Sequence, residues 1–315
     1  MPGQEVSLRE VYGKTLVELG KENSDIVVLD ADLSRSTMTC FFAREFPIRF
    51  FDCGIAEQNM VGIAAGLAAA GKIPFASTFA VFVPGRCFDQ LRMSIAQPGL
   101  NVKLVATHGG ISVGEDGPSH QSIEDLSLIG SLPGFTVIVP ADAIETAQAV
   151  RVAAATQGPF YVRLPRLKLP LVYNGDYRFN LGKAVTMRSG KRATIIAIGI
   201  MVTAAVEAAD NLAKEGIDCR VLNMPTLKPL DETATIKAAI ETGAIATAEE
   251  HLEHGGLGSI VARLVARHRP VPMEMVAIKD TYAQSGKPDE LLRRYGLMAK
   301  DIEQAVRGVI KRKGG

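Results

Sequence analysis

Tryptophan is absent from these 315 residues, and aromatic residues make up only 6%. That leaves little material for broad stacking surfaces. A dominant charge is lacking too: 35 Lys and Arg face 34 Asp and Glu, for a net charge of +1. Neither nucleic acid nor an anionic membrane is expected as a partner. Cysteine is scarce and scattered over Cys40, Cys53, Cys87 and Cys219, with no C-x-x-C pair. The spacing argues against a zinc site or a disulfide scaffold and for a reducing compartment. Each cysteine reads as a small buried apolar residue. Long apolar runs are missing, since the stretch from Gly62 to Gly71 is too short to span a bilayer. The opening MPGQEVSLRE has no apolar core of a signal peptide. The chain is expected to be soluble and cytoplasmic. No G-x-x-x-x-G-K-[ST] occurs, nor a G-x-G-x-x-G with its acidic follower, so common nucleotide folds are unsupported.

What is present is an apolar fraction of 47%, arranged as alternating helix and strand patterns. Ser7 to Leu19 reads as a Ser-capped helix, and the β-branched run Ile26 to Leu29 as a buried strand. Ala56 to Ala70 reads as a buried helix, and Pro74 to Ser77 and Val102 to Ala106 as strands. Ser122 to Ile129 is a short helix, Thr136 to Val139 a strand, Asp142 to Thr156 an Asp-capped helix and Phe160 to Arg163 a strand. The rhythm breaks over Leu164 to Arg178, with Pro165, Pro170, Asn174 and Gly175. It resumes with strands at 193–198, 219–222, 244–249 and 273–277. The helices between and after them fall at 203–215, 232–242, 257–268, 289–295 and 300–311. The predicted class is α/β, with two consecutive parallel-sheet domains covered by helices on both faces. The division is placed at 1–175, a linker at 176–190, and 191–315.

Five constellations could carry chemistry. The richest is Thr107 to His120, which packs His108, Glu115, Asp116, His120, four glycines and Pro118 behind a predicted strand. Open α/β sheets place ligands at the carboxyl ends of strands. Its plainer reading is a polar connector. A second is Phe51 to Met60, where Glu57 sits in the first turn of an apolar helix. There the helix dipole favours a carboxylate, whether for chemistry or merely to satisfy free amides. A third is Phe79 and Phe82, either a pocket wall for a flat ligand or simply core. The set Arg9, Ser36 and Arg166 could hold a phosphate, though singly each reads as a surface residue. Finally, Glu249-Glu250-His251-Leu252-Glu253-His254-Gly255-Gly256 invites a metal guess. Its spacing is not H-E-x-x-H, and it reads as a solvated loop leading into a helix.

Together these residues resemble the C-terminal half of transketolase over nearly the whole chain: a pyrimidine-binding domain followed by the transketolase C-terminal domain. The resemblance rests on Gly54-Ile55-Ala56-Glu57-Gln58-Asn59-Met60, Ser77-Thr78-Phe79, Phe88-Asp89-Gln90-Leu91-Arg92-Met93 and Gly114-Glu115-Asp116-Gly117-Pro118-Ser119-His120. It implies that Glu57 bonds N1′ of the aminopyrimidine of thiamine diphosphate, and that Phe79 and Phe82 pack on that ring. A further aromatic of some relatives falls on Gly85 here. The role of Glu57 requires a proton donor, and burial is expected to favour its neutral form. Asp32 lies near the cofactor and the dimer contact by the same resemblance. His108, Asp116 and His120 would contact substrate hydroxyls, and Arg9, Ser36 and Arg166 the sugar phosphate. Glu57, His108 and His120 are the expected catalytic groups.

The family also uses a domain with a Gly-Asp-Gly motif that holds the diphosphate and a divalent metal. No Gly-Asp-Gly occurs here; Gly175-Asp176 is followed by Tyr177. No metal ligand is therefore expected in this chain. The expectation is a complete C-terminal subunit, starting at Met1, of a split transketolase. It would be active only with an N-terminal subunit that carries Gly-Asp-Gly and Mg2+ or Ca2+, in an α2β2 assembly. The implied reaction moves a two-carbon ketol unit from a ketose phosphate to an aldose phosphate. The alternatives are the C-terminal part of a 1-deoxyxylulose-5-phosphate synthase-like enzyme and a catalytically silent subunit of the same fold. A 2-oxo-acid dehydrogenase β subunit ranks behind these, because it lacks the Gly-Glu-Asp-Gly-Pro-Ser-His loop.

Overall fold

The computed structural model describes residues 5–313. The first half holds strands β1 (Glu5–Ser7), β2 (Ile26–Asp30), β3 (Phe50–Asp52), β4 (Ile73–Phe79), β5 (Lys103–Thr107), β6 (Thr136–Ile138), β7 (Phe160–Arg163) and β8 (Lys168–Pro170). Its helices are α1 (Leu8–Glu22), α2 (Ser34–Thr37), α3 (Cys40–Glu45), α4 (Glu57–Ala69), α5 (Val83–Gln90), α6 (Asp125–Gly130) and α7 (Ala143–Ala155). The second half holds β9 (Val185–Arg188), β10 (Ala193–Ala197), β11 (Cys219–Asn223), β12 (Thr226–Lys228), β13 (Ile245–Leu252) and β14 (Met273–Ile278). Its helices are α8 (Met201–Lys214), α9 (Glu232–Thr242), α10 (Leu257–His268), α11 (Pro288–Arg294) and α12 (Ala299–Lys313).

The larger sheet has seven strands in the order β12-β6-β7-β5-β4-β2-β3. All pairs are parallel except the antiparallel edge pair β12–β6. The second sheet runs β14-β13-β10-β11-β9, parallel except for edge strand β9. β1 and β8 form a separate antiparallel pair. Central strands β2, β5 and β10 are buried at every position, which explains their unbroken apolar runs. Ser7 and Asp142 cap α1 and α7 by accepting from Glu10 N–H and Glu145 N–H, as the pattern predicted.

Three segments differ from the sequence expectation. The break after Leu164 is not plain linker: 168–170 pairs with β1 and 185–188 is the edge of the second sheet. The helix expected from Ser122 begins only at Asp125, because Gly109 and Ser122 form a bridge and Ser122 O accepts from Gly110 N–H. The segment from Glu249 is no solvated loop. β13 continues to Leu252, and Glu249, Glu250 and His251 are buried. One apolar cluster joins Leu29, Met60 and Leu104 of the first half to Ile196, Leu222 and Leu257 of the second. The four thiols are free: Cys87 and Cys219 are buried, Cys40 and Cys53 half-buried. No described helix is long and apolar enough to cross a membrane.

Candidate functional site

All but one of the site residues follow the carboxyl ends of β2, β3, β4, β5 and β7, one edge of the parallel sheet, and Arg9 joins them from the first turn of α1. Behind β2, Asp30 is fully buried and accepts from Thr37 Oγ1 (2.7 Å), Thr39 Oγ1 (2.9 Å) and Leu33 N–H (2.6 Å). Burial raises its pKa to about 6. It shapes the turn that carries Asp32 and Ser36. Asp32 takes φ +61°, and its N–H donates to Asp52 Oδ1 at 3.1 Å. Asp32 itself is exposed at the rim.

Behind β3, Gly54 takes φ +68°, and Glu57 opens α4, as the apolar pattern predicted. Glu57 is only 4% exposed. Its carboxyl is not alone, for Arg86 Nη1 donates to Oε1 at 2.6 Å. The Arg86 guanidinium also lies 4.0 Å from the centroid of the Phe82 ring. The sequence expectation rested on burial and did not foresee this cation. Phe82 and Arg86 are four apart at the start of α5, which was the available signal. Pro84 and Gly85 hid that helix.

Phe79 and Phe82 stack with centroids 5.7 Å apart and planes 18° apart. His108 lies on Phe79 at 3.8 Å, and the His120 ring meets Phe82 edge-on at 5.5 Å. His108 takes φ +61°, a left-handed backbone conformation uncommon among non-glycine residues and clustered at functional sites. Its Nδ1 pairs with Thr107 Oγ1 at 2.8 Å. Burial first, then the charges of Arg9, Arg166 and His120, push its pKa down to about 3. His108 is therefore a neutral imidazole at neutral pH.

Arg9 Nη1 donates to Ser36 O at 2.6 Å and Nη2 to Arg166 O at 3.3 Å, while its buried Nε has no partner among the described residues. Arg166 donates to Val113 O at 2.5 Å and lies 3.7 Å from both Glu115 and Asp116. Asp116 is exposed, and His120 Nδ1 pairs with Ser119 Oγ at 2.9 Å. The structure thus joins Glu57, Phe79, Phe82, His108 and His120 in one contact path and sets Arg9, Ser36, Arg166 and Asp116 beside it. Asp32 stands apart from that path, at the rim. Among the described residues no group of three or more His, Cys, Asp or Glu is placed to hold a metal.

Beneath the loop lies a buried ionic cluster that the sequence did not reveal. Arg163 Nε donates to Asp125 Oδ2 at 2.9 Å, and Nη2 donates to Ser122 O and to Glu250 O. Glu249 accepts from Leu257 and Gly258 N–H at 2.7 and 2.8 Å and so anchors α10. Burial raises both Glu249 and Glu250 to about 7.

A mostly parallel α/β sheet with a buried glutamate, paired phenyl rings and a His–Asp loop at its strand ends is followed by a second mostly parallel sheet, an α/β class of two consecutive sheets with its candidate site at the strand ends. The family description "Transketolase, pyrimidine binding domain" matches residues 4–172, and "Transketolase, C-terminal domain" matches 182–302. The chain belongs to the transketolase family. It is 42% identical over 306 residues to the 6-deoxy-6-sulfo-D-fructose transketolase subunit SqwH of Clostridium sp. (strain MSTE9), covering 97% of this chain and 95% of that one. It is 40% identical over 312 residues to the transketolase of Homo sapiens, covering 98% of this chain but only 50% of the human protein. A solved structure described as "Split gene transketolase, inactive beta4 tetramer" superimposes with a TM-score of 0.92 at 51% identity, covering 98% of this chain and 99% of that one.

Proposed function

We propose that this chain is the C-terminal subunit of a split transketolase. It takes part in moving a two-carbon ketol unit from a ketose phosphate to an aldose phosphate. The observation that carries the reading is the contact path from Glu57 through Arg86, Phe82 and Phe79 to His108, with Arg9 and Arg166 beside its end. The residues fit an aminopyrimidine: a flat apolar wall of two rings meets a buried carboxylate already engaged by a planar cation. When bound, thiamine diphosphate supplies the nucleophilic carbon and the electron sink.

The chain's own residues supply the rest. Glu57 would turn Oε1 from Arg86 to the pyrimidine edge and bond the ring nitrogen there. Phe79 and Phe82 orient the ring and exclude water from one face. Neutral His108, with Nδ1 engaged by Thr107, offers Nε2 to a substrate hydroxyl. Asp116 accepts from a hydroxyl, and His120 closes the channel. Arg9 and Arg166 hold the phosphate, Arg9 with its unpartnered Nε, and Ser36 adds a hydroxyl.

The diphosphate and its Mg2+ or Ca2+ belong to an N-terminal subunit carrying Gly-Asp-Gly, in an α2β2 cytoplasmic enzyme. The domains divide around the segment 176–190, whose β9 (Val185–Arg188) already belongs to the second sheet. That a similar split-gene chain is described as an inactive beta4 tetramer supports a requirement for the partner. The test is a ketol-transfer assay with xylulose 5-phosphate and ribose 5-phosphate, with thiamine diphosphate and Mg2+ present. Turnover is expected from the mixture with a Gly-Asp-Gly subunit and not from this chain alone. Turnover by the chain alone would overturn the split reading.

A further inference from the structure

The loop that carries His108, Asp116 and His120 leaves β5 of the first sheet, yet it is tied down by the second domain. Glu250, on β13, reaches under it, and Ser112 N–H donates to Glu250 Oε1 at 2.6 Å. Glu250 is 3% exposed, so water does not compete for this bond. The middle of the loop is also held by Arg166 Nη1, which donates to Val113 O at 2.5 Å, but Arg166 is half-exposed, so Glu250 is the buried tie. Within the loop, Gly110 N–H goes to Ser122 O, Gly114 N–H to Ile111 O and Gly117 N–H to Gly114 O, and Gln121 reaches Ile111 O and Gly114 O only at 3.3 and 3.4 Å.

The pair Gly109-Gly110 records the same contact. A Cβ on Gly110 would overlap the Glu250 carboxyl, and one on Gly109 would overlap the Arg163 guanidinium. Gly110 also takes φ +87°, which a side chain opposes. The corner next to His108 is therefore built to lie directly on Glu250 and Arg163. Arg163 in turn donates to Glu250 O at 3.0 Å, locking strand and loop together. His108 starts this corner in a left-handed conformation, so its ring on Phe79 depends on the corner staying closed.

We propose that Glu250 is a positioning residue for substrate binding: through Ser112 N–H it sets the loop bearing His108, Asp116 and His120. The C-terminal domain thus contributes to sugar recognition without touching the sugar. The inference deepens the ketol-transfer reading and, for its kinetic part, rests on it.

Two readouts test it. In the full chain alone, amide exchange of residues 109–117 is expected to quicken at least tenfold in Glu250→Ala, with β10 and β11 unchanged. Glu250→Gln keeps an acceptor for Ser112 N–H and should restore protection. In the enzyme assembled with its partner, Glu250→Ala should raise the KM of the aldose acceptor about tenfold or more. Thiamine diphosphate affinity should stay within twofold and kcat within threefold, and Glu250→Gln should reverse the KM effect. Unchanged exchange in a folded Glu250→Ala chain would overturn the proposal. So would exchange rising equally through both sheets, or a loss of cofactor affinity matching the loss for sugar. If the wild-type assembly moves no ketol unit while loop exchange still responds to Glu250→Ala, the ketol-transfer reading fails and the positioning stands.

Discussion

Glu57 and Glu250 are both nearly sealed from water, but they are held differently. Glu57 meets a half-exposed arginine that can swing away, whereas Glu250 meets a backbone amide that cannot. The first suits a group that exchanges partners during binding, the second a fixed strut. Glu57→Gln keeps the shape and removes the titratable proton. It should lower kcat of the assembled enzyme by two orders of magnitude or more, with thiamine diphosphate still bound. Unchanged turnover would favour the silent-subunit alternative. Arg166→Ala should weaken phosphorylated acceptors more than unphosphorylated ones, because only the former use its charge. An equal effect on kcat/KM for both would remove that assignment. His108, with its pKa near 3, should show no imidazole titration by NMR between pH 5 and 8. A midpoint inside that range would mean that its burial and its arginine neighbours are not as described.

At the scale of elements, the glycines separate two kinds of constraint. Gly110 has no room for a methyl and a positive φ, so Gly110→Ala should open the loop and cost about 1–2 kcal/mol or more. Gly62, in the exposed face of α4, has nothing within 4 Å of an added Cβ. Gly62→Ala should stabilise the isolated chain by roughly 0.5–1 kcal/mol through helix propensity. Denaturant melts of both variants check the pair, and a destabilised Gly62→Ala would contradict the helix. The strong elements were legible for reasons of this kind. Ile26 to Leu29 and Val102 to Ala106 announce themselves as buried β runs, and Ser7 and Asp142 as caps. β8, β9 and β12 are edge strands of three or four residues whose pairing is decided by distant sequence, and no local periodicity marks them. α5 was hidden by Pro84 and Gly85, and Arg86 with it.

Across the whole molecule, what the sequence concealed is where polar residues are buried. Glu249, Glu250 and His251 look like surface residues when read along the chain; only the stacking of the second sheet behind the loop seals them. That burial has a measurable consequence. Glu145, Glu249 and Glu250 are raised from 4.5 to about 7, and Asp30 from 3.8 to about 6, each chiefly by desolvation. Between those values the folded chain holds protons that the unfolded chain has released, so stability falls as pH rises and levels off above about 7. His108 and His251 are lowered from 6.5, so the unfolded chain alone takes up their protons below that pH, which opposes the gain. Lys103, lowered to about 7, is half deprotonated in the folded chain at pH 7, so its protonation on going to pH 6 also opposes the gain, and its main effect lies at higher pH. Four carboxyls therefore work against two histidines and, in smaller part, Lys103 between pH 7 and pH 6. The Tm of the isolated chain should be higher at pH 6 than at pH 7 by roughly 2 °C or more. Glu145→Gln removes one of the four and should shrink that difference. A Tm that falls on going from pH 7 to pH 6 would mean that these carboxyls are ionised in the folded chain, with Arg163 and its neighbours neutralising Glu249 and Glu250 despite their burial.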